Sequence, residues 1–130
     1  MRILVVEDSA SMRGFVRDAL SADPGLESAE IEEATSCFDA LRLLPRHGWD
    51  LVITDINMPD INGLELVRFI RQSERHKDTT VLLISTQSSE RDRTRGLALG
   101  ANDYLTKPFA AEALRERALR LLARPAAPSP

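Results

Sequence analysis

The sequence predicts a doubly wound α/β domain built on a parallel sheet. Short β-branched runs alternate with longer helical patterns along almost the whole chain. The strand-like runs are continuously apolar, as expected for strands covered on both faces. The length, 130 residues, fits one such domain with right-handed crossovers between strands.

Each element follows from local pattern. Arg2–Val6 (RILVV) reads as a buried strand, β1. Ser9–Leu20 sets Met12, Val16, Ala19 and Leu20 at helical spacing as α1, and Asp23-Pro24-Gly25 stops it. Ser28–Ala34 is a weaker strand, β2, whose outward acids suit a sheet edge. Cys37–Leu44 is a short helix, α2, closed by Pro45 and Gly48. Asp50–Thr54 (DLVIT) is the most apolar strand, β3, and belongs at the centre. A turn with Asn57, Pro59, Asp60, Asn62 and Gly63 leads into α3, Gly63–Gln72, with Leu64, Val67 and either Ile70 or Phe69 inward. Thr80–Ser85 is the buried strand β4. Ser89–Gly100 is helical, α4, but thinly apolar, with Leu97 as its only large anchor before Leu99. Asp103–Thr106 is the short strand β5, and Ala111–Ala123 is α5. One domain over residues 1–123 results, and the tail Arg124–Pro130, with three prolines, is predicted to be disordered.

Bulk charge narrows the function. The net charge is −3, with 20 acidic against 17 basic residues, which argues against non-specific binding to nucleic acid or anionic membranes. Cys37 is the only cysteine, so no internal disulfide forms, and it reads as a small packing residue in a reducing compartment. The N-terminal apolar run is four residues long, too short for a signal-peptide core or a membrane span. A cytoplasmic location is the expectation.

In open α/β sheets, ligands bind at the carboxyl ends of the strands. There β1 runs into Glu7 and Asp8, β3 into Asp55, β4 into Ser85 and Thr86, and β5 into Thr106, Lys107 and Pro108. Three carboxylates at one edge repel one another, and a divalent cation relieves that repulsion. An all-oxygen set with few protein ligands favours magnesium, the usual companion of phosphoryl transfer. A carboxylate can attack phosphorus to form an acyl phosphate. Lys107 supplies a second positive charge, and the Ser85 hydroxyl can donate to a phosphoryl oxygen.

The segments VVEDS, DLVITDINMPDINGLEL, VLLIST and GANDYLTKPF together resemble the receiver domain of two-component response regulators, most of all the single-domain, chemotaxis-type members. The resemblance covers residues 1 to about 123. It implies a flavodoxin-like strand order 2-1-3-4-5 with helices on both faces. It implies that Asp55 accepts a phosphoryl group from a histidine kinase or phosphotransfer protein. Asp8 and Asp55 would bind Mg2+ by side chains, Asn57 by its backbone carbonyl, and Glu7 mainly through a metal-bound water. Ser85 and Lys107 would hold the phosphoryl group. Ser85 stands where many members carry threonine, and Thr86 where alanine is commonest. Tyr104 matches the aromatic switch position, and the Lys107–Pro108 bond is expected to be cis. Such a protein catalyses only its own phosphorylation and dephosphorylation.

Two surfaces are expected to bind partners. The kinase would dock beside the pocket on α1, around Ser11, Met12 and Phe15, because Phe15 is large and falls off the apolar stripe. The output protein would bind the α4-β5-α5 face. Other readings differ in their residues. A flavin protein needs a hydroxyl- and glycine-rich phosphate loop after β1, where EDSASM offers acids. A haloacid-dehalogenase-type phosphatase carries D-x-D on its first strand, a pattern missing here. A receiver used for protein contacts without phosphorylation, or the receiver part of a longer regulator, fits the same residues.

Overall fold

A computed structural model of the chain describes residues 1–58, 60–86 and 90–123. Pro59, the expected α4 start at Ser89, and the tail Arg124–Pro130 lie outside the described residues. Five strands form one sheet: β1 (Arg2–Val6), β2 (Glu30–Ala34), β3 (Leu51–Asp55), β4 (Thr80–Thr86) and β5 (Asp103–Lys107). Their order is β2-β1-β3-β4-β5, and every pairing is parallel. The helices are α1 (Ala10–Ser21), α2 (Cys37–Leu43), α3 (Gly63–Gln72), α4 (Glu90–Leu99) and α5 (Ala111–Leu122). A 3-10 turn, Leu44–Arg46, takes over from α2 because Pro45 has no N–H to continue the helix.

The period of two in each strand sorts the core into two layers. Ile3 and Val5 of β1, Leu51 and Ile53 of β3, and Leu82 and Ile84 of β4 pack with Val16 and Leu20 of α1 and Leu114 and Ala118 of α5. Their alternates, Leu4, Val6, Val52, Val81 and Leu83, pack with α2 and α3 through Cys37, Ala40, Leu64, Val67 and Ile70. Ile70, not Phe69, is the inward residue of α3, while Phe69 is exposed. The edge strand β2 carries its acids outward into ion pairs, Glu30 with Arg2 at 2.7 Å and Glu33 with Arg13 and Arg17.

The packing of α4 differs from expectation. Leu97 is 42% exposed, and Gly96 is the only buried residue of the helix. Gly96 lies flat on the sheet: a Cβ there would run into Leu83 and approach Leu64 Cδ2 at 3.3 Å. The helix is seated by close backbone approach at Gly96 and by the half-buried Leu99 at its end, not by Leu97.

Strand-to-helix turns at the carboxyl edge are fixed by caps. Ser9 accepts from the Met12 amide, Ser36 from Asp39, and Asn62 from Leu64. Immediately after Asn62, the Gly63 amide donates to Ile56 O at 2.8 Å. A Cβ on Gly63 would collide with the carbonyl oxygen of Asp55 and lie 2.9 Å from Ile56 Cα, both backbone atoms that cannot swing away. Gly14, inside α1, has open space around its missing Cβ. Gly63→Ala should therefore destabilise the fold by roughly 1–3 kcal/mol, as overpacking does. Gly14→Ala should raise stability by up to about 1 kcal/mol through helix propensity. Urea midpoints of the two variants test this, and a neutral Gly63→Ala would contradict the close approach.

Candidate functional site

Val6 of β1 pairs with Thr54 of β3, so Glu7 and Asp55 leave the sheet side by side. Glu7 stays tied to the sheet, its amide donating to Ala34 O at 3.0 Å. Asp8 comes one residue further and is exposed, while Glu7 and Asp55 are buried. Carboxylate oxygens of Glu7, Asp8 and Asp55 all lie within 4.8 Å of one another. The acids expected to converge from sequence do so.

Lys107 crosses from the end of β5 to meet them. Its Nζ donates to Glu7 Oε1 at 2.6 Å and to Asp55 Oδ2 at 2.9 Å. The Lys107–Pro108 bond is cis, as expected. The other carboxylate oxygens are held from the main chain: Glu7 Oε2 accepts from the Ser9 amide at 3.0 Å, and Asp55 Oδ1 from the Asn57 amide at 3.1 Å. Ser85 is buried, and its hydroxyl donates to the neighbouring Thr86 carbonyl at 3.1 Å. Above it the exposed Thr86 and Asn57 side chains face each other, with Asn57 Nδ2 3.5 Å from Thr86 Oγ1.

The electrostatics follow from one cation among three anions. Burial works against the Lys107 ammonium, yet its bonds to Glu7 and Asp55 outweigh that and hold its pKa above the usual lysine value. Asp8 is pushed up from the ordinary carboxylate range, first by its hydrogen bond with the Glu7 carboxyl, then by desolvation and the Glu7 charge. An acid that resists ionising beside two others marks a place for further positive charge. The donor set is all oxygen, which fits a hard divalent cation. Both Glu7 oxygens already accept hydrogen bonds, whereas Asp8 keeps its outer face toward solvent.

The expected switch and docking residues fall in two places. Tyr104 is 7% exposed, with the Arg93 guanidinium carbon 5.9 Å from its ring centroid. Phe15 is 39% exposed and rests its ring 5.8 Å from that of Phe109. Cys37 is buried, and its thiol is pushed up to about 12, mainly by desolvation and then by the charges of Asp60 and Asp55. It stays protonated at neutral pH and fills space, as expected.

Sequence reasoning missed two residues that shape the site. Asp60 accepts from the amides of Phe38 at 2.9 Å and Cys37 at 3.4 Å, so the loop after Asp55 caps α2. Arg13 donates to the carbonyl oxygens of Glu7 and Asp8. The partners are 22 or 23 residues away for Asp60, and five and six for Arg13, with no local pattern to reveal them.

An acidic pocket spanned by a lysine, at the carboxyl edge of a five-stranded sheet in 2-1-3-4-5 order, defines a receiver-type signalling domain. The model of the response regulator receiver domain matches residues 3–119. The chain belongs to that family, whose members act in two-component signalling and bind Mg2+ at an acidic pocket. It is 32% identical over 117 residues to the chemotaxis protein CheY homolog of Campylobacter jejuni, covering 90% of this chain and 88% of that one. It is 36% identical over 124 residues to the transcriptional regulatory protein TrcR of Mycobacterium tuberculosis, covering 95% of this chain and 46% of that protein. Among solved structures, it is similar to the chemotaxis response regulator CheY4 of Vibrio cholerae, with TM-score 0.83, 32% identity, and coverage of 92% and 97% of the two chains.

Among the described residues, no helix is long and apolar enough to cross a membrane.

Proposed function

We propose that Asp55 is the phosphoryl acceptor of this receiver and that phosphorylation switches its α4-β5-α5 face. The observation that carries the reading is the Lys107 ammonium held between Asp55 and Glu7, with Asp8 alongside. An Asp55 oxygen attacks phosphorus of a phosphohistidine on a kinase or phosphotransfer protein. The P–N bond breaks, the imidazole leaves with the electron pair, and an acyl phosphate remains on Asp55. Asp8 and Asp55 by their side chains and Asn57 by its carbonyl would hold Mg2+, with Glu7 acting through a metal-bound water. The bound cation offsets negative charge on the phosphoryl oxygens. Lys107 and Ser85 take two of those oxygens. The output partner of the α4-β5-α5 face is a protein.

Asp55→Asn removes the nucleophile while keeping the shape. With acetyl phosphate and Mg2+, the parent should incorporate acid-labile phosphate and the variant none. Equal labelling of both would sink the assignment. Omitting Mg2+ should stop labelling of the parent as well.

The kinase docks beside the pocket on α1, where Ser11 is exposed, Met12 is half-buried and Phe15 stands out. A partly exposed aromatic next to Gly14 suits a helix-on-helix contact. Phe15→Ala should slow transfer from the kinase severalfold more than labelling by acetyl phosphate. Equal slowing from both donors would mean that Phe15 only supports its neighbour Phe109.

The switch follows from what holds α4. With Gly96 as its only buried residue, the helix has a low opening free energy. A phosphoryl oxygen draws the Ser85 hydroxyl away from the Thr86 carbonyl, and the shift at the end of β4 passes to its neighbour β5, which carries Tyr104. Coupling of this kind is worth about 1–3 kcal/mol. Beryllofluoride on Asp55, standing in for the phosphoryl group, should change amide exchange in residues 90–107 more than in residues 28–50. Ser85→Ala should blunt the difference. A uniform response, or an unaltered one in the variant, would rule out this route.

A further inference from the structure

We infer that Arg13 is a positioning residue for the cation pocket, fixing the main chain of Glu7 and Asp8 through a bridge to Glu33 on β2. The inference rests on the reading of Glu7, Asp8 and Asp55 as a cation site. Arg13 Nη1 donates to Glu7 O at 2.9 Å and to Asp8 O at 3.2 Å. Its Nε donates to Glu33 Oε1 at 3.1 Å. One planar group thus ties both acidic residues to the neighbouring strand.

The need for such a tie lies in where the sheet ends. Glu7 is the last residue of this segment with a ladder bond, its amide reaching Ala34 O. Asp8 has left the sheet, and α1 begins only at Ala10, behind its Ser9 cap. Asp8 must nevertheless keep its carboxylate near two others that repel it. Pulling on the carbonyls from the α1 side, Arg13 holds the peptide planes and leaves the carboxylates free to face the cation.

An ordinary surface ion pair does not account for these contacts. The Arg13 side chain is only 15% exposed. Glu33 already has a second cation, with Arg17 Nη1 2.7 Å from its other oxygen. Balancing the Glu33 charge therefore does not require Arg13 to reach two main-chain oxygens. The reverse is informative: Glu33, itself held by Arg17, anchors Arg13 in the orientation that reaches them.

The test compares Arg13→Ala, Arg13→Lys and Glu33→Gln with Arg2→Ala, which removes ion pairs to Glu30 and Glu32 on the same strand. Magnesium chloride is titrated into each unphosphorylated protein and followed by amide NMR shifts. Arg13→Ala should weaken the metal about tenfold, as loss of a group supporting metal ligands does. Arg13→Lys, with a point charge in place of the fork, should recover only a small part. Glu33→Gln should give a smaller loss in the same direction, and Arg2→Ala none. In metal-free protein, Asp8 and Ser9 amides should exchange faster in Arg13→Ala than in the parent.

Parent-like metal affinity in Arg13→Ala and Arg13→Lys would overturn the inference. So would an equal loss in Arg2→Ala, since the effect would then be general loosening of β2. If Arg13→Ala does not fold, Arg13→Lys and Glu33→Gln carry the same comparison. A parent protein without magnesium shifts at Asp8 and Asp55 overturns the cation-site reading instead. Faster Asp8 and Ser9 exchange would still support the positioning role in that case.

Discussion

One ammonium group bridges the two buried carboxylates at the functional edge. Lys107 Nζ sits within hydrogen-bonding distance of two carboxylates that are themselves almost fully buried. Burying either acid without a partner would cost several kcal/mol, and the fold avoids this only by bringing β5 across to β1 and β3. The partners are 100 and 52 residues from Lys107 in sequence. The complete sheet order is therefore a condition of the site, since no smaller part of the chain contains both sides of the bridge. One ammonium still cannot neutralise three carboxylates, and Asp8 carries the remainder in its raised pKa.

The division of labour along each strand follows from that constraint. The interiors of β1, β3 and β4 are apolar on both faces and pack α1 and α5 on one side, α2 and α3 on the other. Beyond the edge strand β2, the functional polar groups gather at the last residue of a strand and the turn after it, where backbone amides can serve side-chain oxygens. Ser9 and Asn57 amides do this for Glu7 and Asp55, and the Cys37 and Phe38 amides for Asp60. For Asp60, desolvation is outweighed by these backbone bonds, so its pKa falls below the ordinary carboxylate value. The loop after the acceptor is thus tied to α2 as well as to α3. Such ties keep the pocket in one geometry before any ligand arrives.

What the sequence revealed and what it hid have a common explanation. The strands were legible because DLVIT and TVLLIS need no partner to read as buried, and the pocket was legible because strand ends converge in any doubly wound sheet. Expected and observed boundaries of β1 and α3 coincide. Hydrophobic patterning failed at α4, where it sought a large side chain and the anchor was the missing side chain of Gly96. It left Ile70 and Phe69 open because adjacent helical positions differ by only about 100°, and the packing of α3 against the sheet decides between them. Arg13 and Asp60 were hidden for another reason. Their partners at the site are main-chain atoms, which carry no residue identity, and the Glu33 side chain that orients Arg13 lies 20 residues away.

The failure at α4 is also informative about function. A helix whose buried contact is Gly96, with Leu99 half-buried at its end, has little apolar area to lose when it shifts. Tyr104 beside it is buried in the apolar core, and the Arg93 guanidinium lies over its ring. Such a cation–π contact contributes about 0.5–1 kcal/mol near a surface, too little to lock the ring. Ser85, on the other side, satisfies its hydroxyl with the adjacent Thr86 carbonyl and needs no distant partner to be buried. It can exchange that bond for a charged acceptor at small cost, and charge-assisted bonds are roughly twice as strong as neutral ones. The pocket is held by several mutually supporting bonds, and the neighbouring β5 is tied to α5 by Arg117, which donates to Asp103 Oδ1 and Tyr104 O.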